Sequence, residues 1–137
     1  MNTNDVKIGD VSVGDTLPEL PIPLTVSLIV SGALASRDYT PVHHDKAKAQ
    51  QAGLGDVFMN ILTTNGLVGR FITDWAGPNA MLRNVNIKLG TPNLPGDTMT
   101  LTGTIVSKQS DEVTVDITGK NAWGNHVTGT VRVALAS

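Results

Sequence analysis

The second half of the chain alternates apolar and polar residues with a period of two. Four runs share this pattern, at residues 85–89, 99–105, 113–117 and 127–135. Alternation of this kind is typical of strands that turn one face toward a core and the other toward solvent. Turn residues separate the runs, at Pro95-Gly96-Asp97, Gln109-Ser110-Asp111 and Gly124-Asn125. The pattern therefore predicts an antiparallel sheet with one buried face.

The stretch from Phe58 to Trp75 follows a helical period instead. Its apolar residues recur at spacings of three and four: Phe58, Ile61, Leu62, Val68, Phe71, Ile72 and Trp75. Gly77-Pro78 follows, and a proline there cannot continue the helix. One long apolar helix followed by alternating strands predicts an α+β domain in which a curved antiparallel sheet wraps around a long central helix.

The beginning of the chain carries weaker signals. Residues 1–23 are expected to form an extended N-terminal lead-in with few regular elements, since they contain Gly9, Gly14, Pro18, Pro21 and Pro23. From Leu24 a short strand is expected to pass into a short helix near Ser27 to Ser36. A second short helix is predicted from His44 to Ala52, with Gly53 as its C-terminal stop.

Composition narrows the class of protein. A length of 137 residues fits one domain, 1–137, with one core. The formal net charge of −2 and the absence of a Lys/Arg cluster give no reason to expect nucleic-acid binding. The chain has no cysteine, which excludes disulfides, thiolate metal sites and a cysteine nucleophile. No signal peptide or membrane-spanning run is recognised, so a cytoplasmic protein is expected.

A carboxylate and an imidazole stand out as candidate chemistry. Asp38 and His43 are five positions apart, and Pro41 lies between them. Pro41 disfavours the helical region for Thr40, so the two side chains are expected at the ends of a stiff bend, where they can face one another. Such a pair suits general acid–base work on a bound water. On spacing alone, Asp38 can equally be a turn carboxylate and His43 a cap of the next helix.

The surrounding residues resemble a known family. The hydratase motif of MaoC-like hot-dog proteins, the (R)-specific enoyl-CoA hydratases, is similar to one run of this chain, Ser36-Arg37-Asp38-Tyr39-Thr40-Pro41-Val42-His43-His44-Asp45. Pro95-Gly96-Asp97 before an alternating strand looks like the family's second recurrent feature. The resemblance extends from about Leu24 to Leu135 and implies a hot-dog fold.

A narrower group within that family is also similar, the small MaoC-like subunit of actinobacterial steroid side-chain enoyl-CoA hydratases. The matching runs are Arg37-Asp38, Val42-His43-His44-Asp45, Asn60-Ile61-Leu62-Thr63 and Thr73-Asp74-Trp75-Ala76-Gly77-Pro78. This resemblance implies a larger MaoC-like partner subunit, with two copies of each chain in the assembly. A homodimer is the alternative.

The resemblance implies a reaction, the addition of water across the double bond of a trans-2-enoyl-CoA. Asp38 and His43 would hold and activate the water as the catalytic residues. Thr40 replaces the usual Asn before the proline, and Met59-Asn60 replace the His-Gly that opens the central helix. Met59 and Asn60 are the candidate oxyanion and substrate-binding residues, because a helix N-terminus offers unpaired N–H groups.

The implied chemistry requires no metal and no redox cofactor, and coenzyme A enters only as part of the substrate. Two other functions are open at this point. One is a hot-dog acyl-CoA thioesterase, since that fold also hydrolyses CoA esters. The other is a non-catalytic subunit that shapes the site of a hydratase partner.

Overall fold

One antiparallel sheet and one long helix make up most of the structure, a computed structural model that describes residues 3–137. The elements in chain order are β1 (Leu20–Pro23), α1 (Val26–Ala35), α2 (Lys46–Gln51), α3 (Ile61–Ala76), β2 (Met81–Leu89), β3 (Thr98–Gln109), β4 (Glu112–Asn121) and β5 (Gly124–Ala134). Short 3₁₀ turns span Ile8–Asp10 and Pro41–His43. The sheet order is β1-β3-β4-β5-β2, and neighbouring strands are antiparallel.

The regular elements in residues 3–23, the described part of the predicted lead-in, are the 3₁₀ turn Ile8–Asp10 and strand β1. Strand β1 ends at Pro23, so the strand predicted from Leu24 lies four residues earlier. It pairs with β3 at the edge of the sheet, with Ile22 opposite Met99. Pro21 and Pro23 lack an N–H for a ladder, and an edge strand tolerates that. Their phase also leaves Ile22 on the buried face, where it is 5% exposed.

The four alternating runs are confirmed as strands, and each strand is longer than its predicted run at one end or both. In β3 and β4 the alternate positions are buried, and these apolar side chains line the core: Met99, Leu101, Ile105, Val113, Val115 and Ile117. Strand β2 forms the other edge and is largely exposed in the single chain. Central strands with one buried face are what the period of two indicates.

Helix α3 begins at Ile61, three residues later than the predicted start at Phe58, and ends at Ala76. One side packs against the core through Thr64, Val68, Phe71, Ile72 and Ala76. Ile61 and Leu62, which the apolar period assigns to the buried face, are each 51% exposed. No helix within residues 3–137 is long and apolar enough to cross a membrane.

Candidate active site

A Schellman motif at the end of α1 fixes the direction of Asp38. The backbone N–H of Asp38 donates to the Ala33 carbonyl (2.9 Å), and that of Arg37 donates to the Leu34 carbonyl (3.0 Å). Arg37 lies in the left-handed region with a φ of 57°, at the position that most helices of this kind give to glycine. Backbone hydrogen bonds therefore position Asp38 directly after the helix.

His43 is held by the 3₁₀ turn that contains it and by Phe58. The residue is 7% exposed, and the rings of His43 and Phe58 make an edge contact with centroids 4.7 Å apart. His43 Nδ1 lies 2.6 Å from the Phe58 carbonyl oxygen. Because a carbonyl oxygen can only accept, Nδ1 carries the hydrogen and donates it. In the neutral ring, Nε2 is then the unprotonated nitrogen.

Both oxygens of Asp38 accept hydrogen bonds that favour the ionised form. Oδ1 accepts from Thr40, at 2.7 Å from the hydroxyl and 3.2 Å from the backbone N–H. Oδ2 accepts from Asn60 Nδ2 at 3.1 Å. The Thr40 hydroxyl, followed by the Asn60 amide, lowers the pKa of Asp38 from 3.8 to about 2. Asp38 is therefore a carboxylate at neutral pH.

The two side chains meet as the bend predicts, with His43 Nε2 at 3.3 Å from Asp38 Oδ2. An ionised carboxylate and an unprotonated ring nitrogen are both acceptors, so the pair needs a hydrogen from elsewhere. A water that donates one O–H to each atom meets that need, as does a proton on the ring. Such a pair can take a proton from water and deliver one to a substrate, with base and acid shared between the partners.

The segment Phe58 to Asn60 offers fewer free N–H groups than the sequence predicts. Phe58 N–H donates to the Val42 carbonyl (3.3 Å), and Met59 N–H donates to the Asn93 carbonyl (3.1 Å). Met59 is also buried, at 2% exposed, with Sδ at 3.6 Å from Asn93 Nδ2. Within residues 3–137, only Asn60 of these three has a backbone N–H without an acceptor. The expectation of an unpaired donor at Met59 is therefore wrong.

Asn60 has a side-chain environment that the sequence did not predict. It is the N-cap of α3, and its Oδ1 accepts from the Thr63 backbone N–H (3.0 Å) and hydroxyl (2.6 Å). Its Nδ2 donates to Ser36 Oγ (2.9 Å) and to Asp38 Oδ2 (3.1 Å). The amide therefore contacts the candidate carboxylate, and only the backbone N–H remains for the predicted contact with a substrate oxygen.

Other polar residues near the motif have structural environments. His44 is exposed, and Asp45 is the N-cap of α2. His126, on β5, is 2% exposed, with Nε2 at 2.8 Å from Thr64 Oγ1 and Nδ1 at 2.6 Å from the Thr91 carbonyl. Burial lowers the pKa of His126, so its neutral form is favoured. These contacts account for His126 as part of the packing between α3 and the sheet.

Three contacts to the Asp–His pair went beyond what the sequence predicted. Thr40, two residues after Asp38, fits a local turn in which an Asp accepts from the residue two positions on. The Asn60 to Thr63 spacing is a helix N-cap signal, but it does not indicate the contact to Asp38. The Phe58 carbonyl carries no signal at all, because any residue supplies a carbonyl and the partner is distant in sequence.

Two surface cavities lie away from the Asp–His pair. One, of about 170 Å³, is lined by Pro18, Glu19, Leu20, Phe71, Asp74 and Trp75. The other, of about 240 Å³, is lined by Lys88, Leu89, Gly90, Asn125 and Thr128. Neither lining includes Asp38 or His43, so neither cavity is a binding cleft for the chemistry of that pair.

Sequence comparison gives one family and one close relative. The sequence model described as "MaoC like domain" matches residues 11–130. The "3-oxo-4,17-pregnadiene-20-carboxyl-CoA hydratase beta subunit" of Mycobacterium tuberculosis (strain ATCC 25618 / H37Rv) is 45% identical over 123 residues. That match covers 90% of this chain and 95% of the relative.

Structural comparison agrees. A chain in the crystal structure of the ChsH1-ChsH2 complex from Mycobacterium tuberculosis is 44% identical, with a TM-score of 0.89 over 91% of this chain and 98% of that one. The unliganded R-hydratase PhaJ1 from Pseudomonas aeruginosa is 20% identical, with a TM-score of 0.88 over 97% of this chain and 88% of that one. At that identity the likeness shows the fold alone, and it confirms the predicted α+β hot-dog fold.

Proposed function

Because this chain belongs to the MaoC-like domain family, we propose that it is a catalytic subunit of a trans-2-enoyl-CoA hydratase. The observation that carries the proposal is the Asp38–His43 pair, with Nε2 at 3.3 Å from Oδ2. Asp38 is ionised and Nδ1 of His43 donates to the Phe58 carbonyl, so Asp38 Oδ2 and, whenever the ring is neutral, His43 Nε2 can both accept a hydrogen from one water. Activation of a water is what hydration requires.

The substrate we propose is the CoA thioester of an unsaturated steroid side chain. Support comes from the relative that is 45% identical, whose name describes a 3-oxo-4,17-pregnadiene-20-carboxyl-CoA hydratase beta subunit. Coenzyme A is then part of the substrate, and the reaction calls for no metal or redox cofactor. Water adds and nothing leaves, so the atoms balance without a co-reactant.

The positions of the two acceptors support the following course of the reaction. The water oxygen bonds to the β-carbon of the enoyl thioester while one of its protons passes to the Asp38–His43 pair. The pair returns a proton to the α-carbon, and the double bond becomes a single bond. Negative charge develops on the thioester oxygen, and the backbone N–H of Asn60, beside the positive end of α3, is the donor we assign to it.

The assembly we propose is a heteromer of this chain with a larger MaoC-like subunit, two copies of each. The chain is similar along 91% of its length to a chain of the ChsH1-ChsH2 complex, which supports a partner of another kind. The largely exposed edge strand β2 also favours association, because an unpaired strand edge is a surface that other chains can extend or cover. A homodimer is the alternative that copurification decides.

The proposal predicts that both members of the pair are needed for turnover. Asp38→Asn and His43→Ala, each prepared in complex with the larger subunit, should lower the hydration rate by about 10²- to 10⁴-fold, the usual contribution of general acid–base catalysis. The measurement is loss of the enoyl-thioester absorbance. His44→Ala is the matched control, since His44 is the exposed neighbour in the same motif and should leave the rate unchanged.

Three results would contradict parts of the proposal. Full activity of both variants would make this chain a non-catalytic subunit. Release of free CoA thiol without a 3-hydroxyacyl product would make the enzyme a thioesterase. Equal or better turnover of a short-chain enoyl-CoA by this chain alone would remove the steroid substrate and the heteromer.

A further inference from the structure

We infer that Asn60 is a positioning residue whose side-chain amide holds Asp38 in register with His43. The expected effect on catalysis rests on the proposed hydratase function, whereas the contacts of Asn60 do not depend on it. Asn60 Nδ2 is 3.1 Å from Asp38 Oδ2, the same oxygen that lies 3.3 Å from His43 Nε2. The amide therefore acts on the oxygen that faces the ring.

The side chain of Asn60 has no capacity left for a substrate. An asparagine amide offers two N–H donors and two lone pairs. The donors go to Ser36 Oγ (2.9 Å) and Asp38 Oδ2 (3.1 Å), and the lone pairs accept from the N–H and hydroxyl of Thr63 (3.0 and 2.6 Å). Asn60 is also only 2% exposed. A role in direct substrate binding is thus closed to the amide.

The orientation of the amide is set by the helix. Because Oδ1 accepts from the Thr63 backbone N–H as the N-cap of α3, Nδ2 has to point the other way, toward Asp38. Ser36 Oγ is itself anchored, since it donates to the Gly32 carbonyl at 2.7 Å. One amide therefore ties the start of α3 to the end of α1, with Asp38 in between.

The same short segment also fixes His43. The Phe58 carbonyl, two residues before Asn60, accepts from His43 Nδ1 at 2.6 Å. Met59 N–H, between them, donates to the Asn93 carbonyl at 3.1 Å, which anchors the segment to the loop before β3. Asp38 and His43 therefore both contact the same backbone segment, and the conformation of residues 58–60 sets the distance between their side chains.

Asn60 could instead act only as the N-cap of α3. The variant Asn60→Asp distinguishes this capping role from the positioning of Asp38. Aspartate keeps the volume and remains a good N-cap, so α3 should be retained. It lacks the N–H donor and sets a second carboxylate about 3 Å from Asp38, where like charges repel. We expect kcat to fall by about 10- to 100-fold, the value of a hydrogen bond to a charged group, with KM little changed. The temperature of thermal unfolding should fall as well, because two poorly exposed carboxylates repel one another in the folded state.

The pKa of Asp38 distinguishes the two roles, because it should not change if Asn60 acts only as a helix cap. Carboxyl ¹³C NMR of the complex, with only this chain labelled, should show the pKa of Asp38 near 2 in the wild type and raised in the variant, because a donor is lost and a like charge gained. Asn65→Asp is the matched control. It makes the same change at an exposed position on α3 and should leave both kcat and the titration of Asp38 unaltered.

The outcomes separate the positioning role from the proposed function. An unchanged Asp38 titration and unchanged kcat in a folded Asn60→Asp variant would overturn the positioning role. If the wild-type complex hydrates no enoyl-CoA but the pKa of Asp38 still rises in Asn60→Asp, the positioning role stands and the proposed hydratase function is removed. If Asn60→Asp does not assemble, Asn60→Ser replaces it. The shorter side chain still caps α3 and removes the amide donor without adding a charge, so kcat and the pKa of Asp38 should change in the same directions but by less.

Discussion

The dyad segment, residues 36–60, and the sheet β1–β5 are built on different principles. In the sheet, alternate apolar side chains are buried together, and Ile105 is 0% exposed among many similar neighbours. In the dyad segment, single polar contacts decide the geometry, such as the 2.7 Å bond from the Thr40 hydroxyl to Asp38. Burial is summed over many interchangeable side chains, whereas each of these hydrogen bonds has one donor and one acceptor.

The difference implies that the sheet and the dyad segment have separate roles, in stability and in chemistry respectively. Loss of one buried side chain should lower stability and leave the chemistry of the remaining folded molecules intact. Loss of one polar contact in the dyad segment should alter the chemistry with little effect on stability. The sheet thus supplies most of the free energy of folding. The hydrogen bonds of the dyad segment position the side chains of Asp38 and His43.

Ile105→Ala is expected to have the largest effect on stability. The side chain is fully buried on β3, among the apolar core residues of the sheet. Removal of a buried Ile side chain costs about 2–5 kcal/mol of unfolding free energy. Turnover per folded complex should stay at the wild-type value. Denaturant titration at fixed protein concentration gives the first quantity, and the initial rate below the transition gives the second.

Ile105→Val is the matched control and should cost only about 0.5–1.5 kcal/mol, since one methylene is removed. A fall in turnover of the Ala variant at temperatures where it is fully folded would contradict the independence of the dyad segment from the packing of the sheet. It would mean that packing in β3 is coupled to the placement of Asp38 and His43.

This division also explains what the sequence could and could not predict. The strands β2–β5 repeat a burial pattern every two residues, and the long helix repeats one every three to four. Each of these elements can therefore be recognised from its own stretch of sequence. Strand β1 was placed four residues too late, at Leu24, because Pro21 and Pro23 are residues that a strand rarely contains away from a sheet edge. The start of α3 was placed too early because Phe58 fits the apolar period, although Asn60 caps the helix.

The candidate site likewise has one feature that the local sequence predicts and other features that it does not. The bend that brings Asp38 toward His43 follows from local backbone restriction around Pro41. The contacts of Asn60 and of the Phe58 carbonyl link segments that are distant in sequence, at separations of 22 and 15 residues. No local pattern encodes such contacts, because they depend on how α1 and α3 pack.

Thr40→Val removes a polar contact of the dyad segment, and its expected effect on stability is smaller than that of Ile105→Ala. The Thr40 hydroxyl is the main cause that holds the pKa of Asp38 at about 2 in place of 3.8. A depressed carboxyl pKa contributes stability above about pH 4 that is lost as the pH falls toward 2. The variant should raise the pKa of Asp38, so its unfolding free energy should decline less steeply across this window. Denaturant titrations at pH values from 5 to about 2 measure the slope.

The same variant should reduce turnover by about tenfold at neutral pH, since one hydrogen bond to the charged oxygen is lost. Thr114→Val, on β4, is the matched control because it makes the same exchange in the sheet. Wild-type turnover and a wild-type pH slope in Thr40→Val would show that the backbone N–H of Thr40 and the Asn60 amide alone are enough to hold Asp38.

Arg37→Gly is expected to have the smallest effect, and it compares strain in the two regions directly. Arg37 and Ser110 are the non-glycine residues with positive φ in the described chain, 57° beside Asp38 and 59° in the turn between β3 and β4. Glycine removes the steric cost of the left-handed region but adds freedom to the unfolded chain, so each of Arg37→Gly and Ser110→Gly should stabilise by about 0.5–1 kcal/mol. Turnover should not change in either variant, because backbone groups make the Schellman bonds that position Asp38. A loss of turnover confined to Arg37→Gly would instead mean that the guanidinium itself acts on the substrate, and it would make the strain beside Asp38 a consequence of where that charge has to lie.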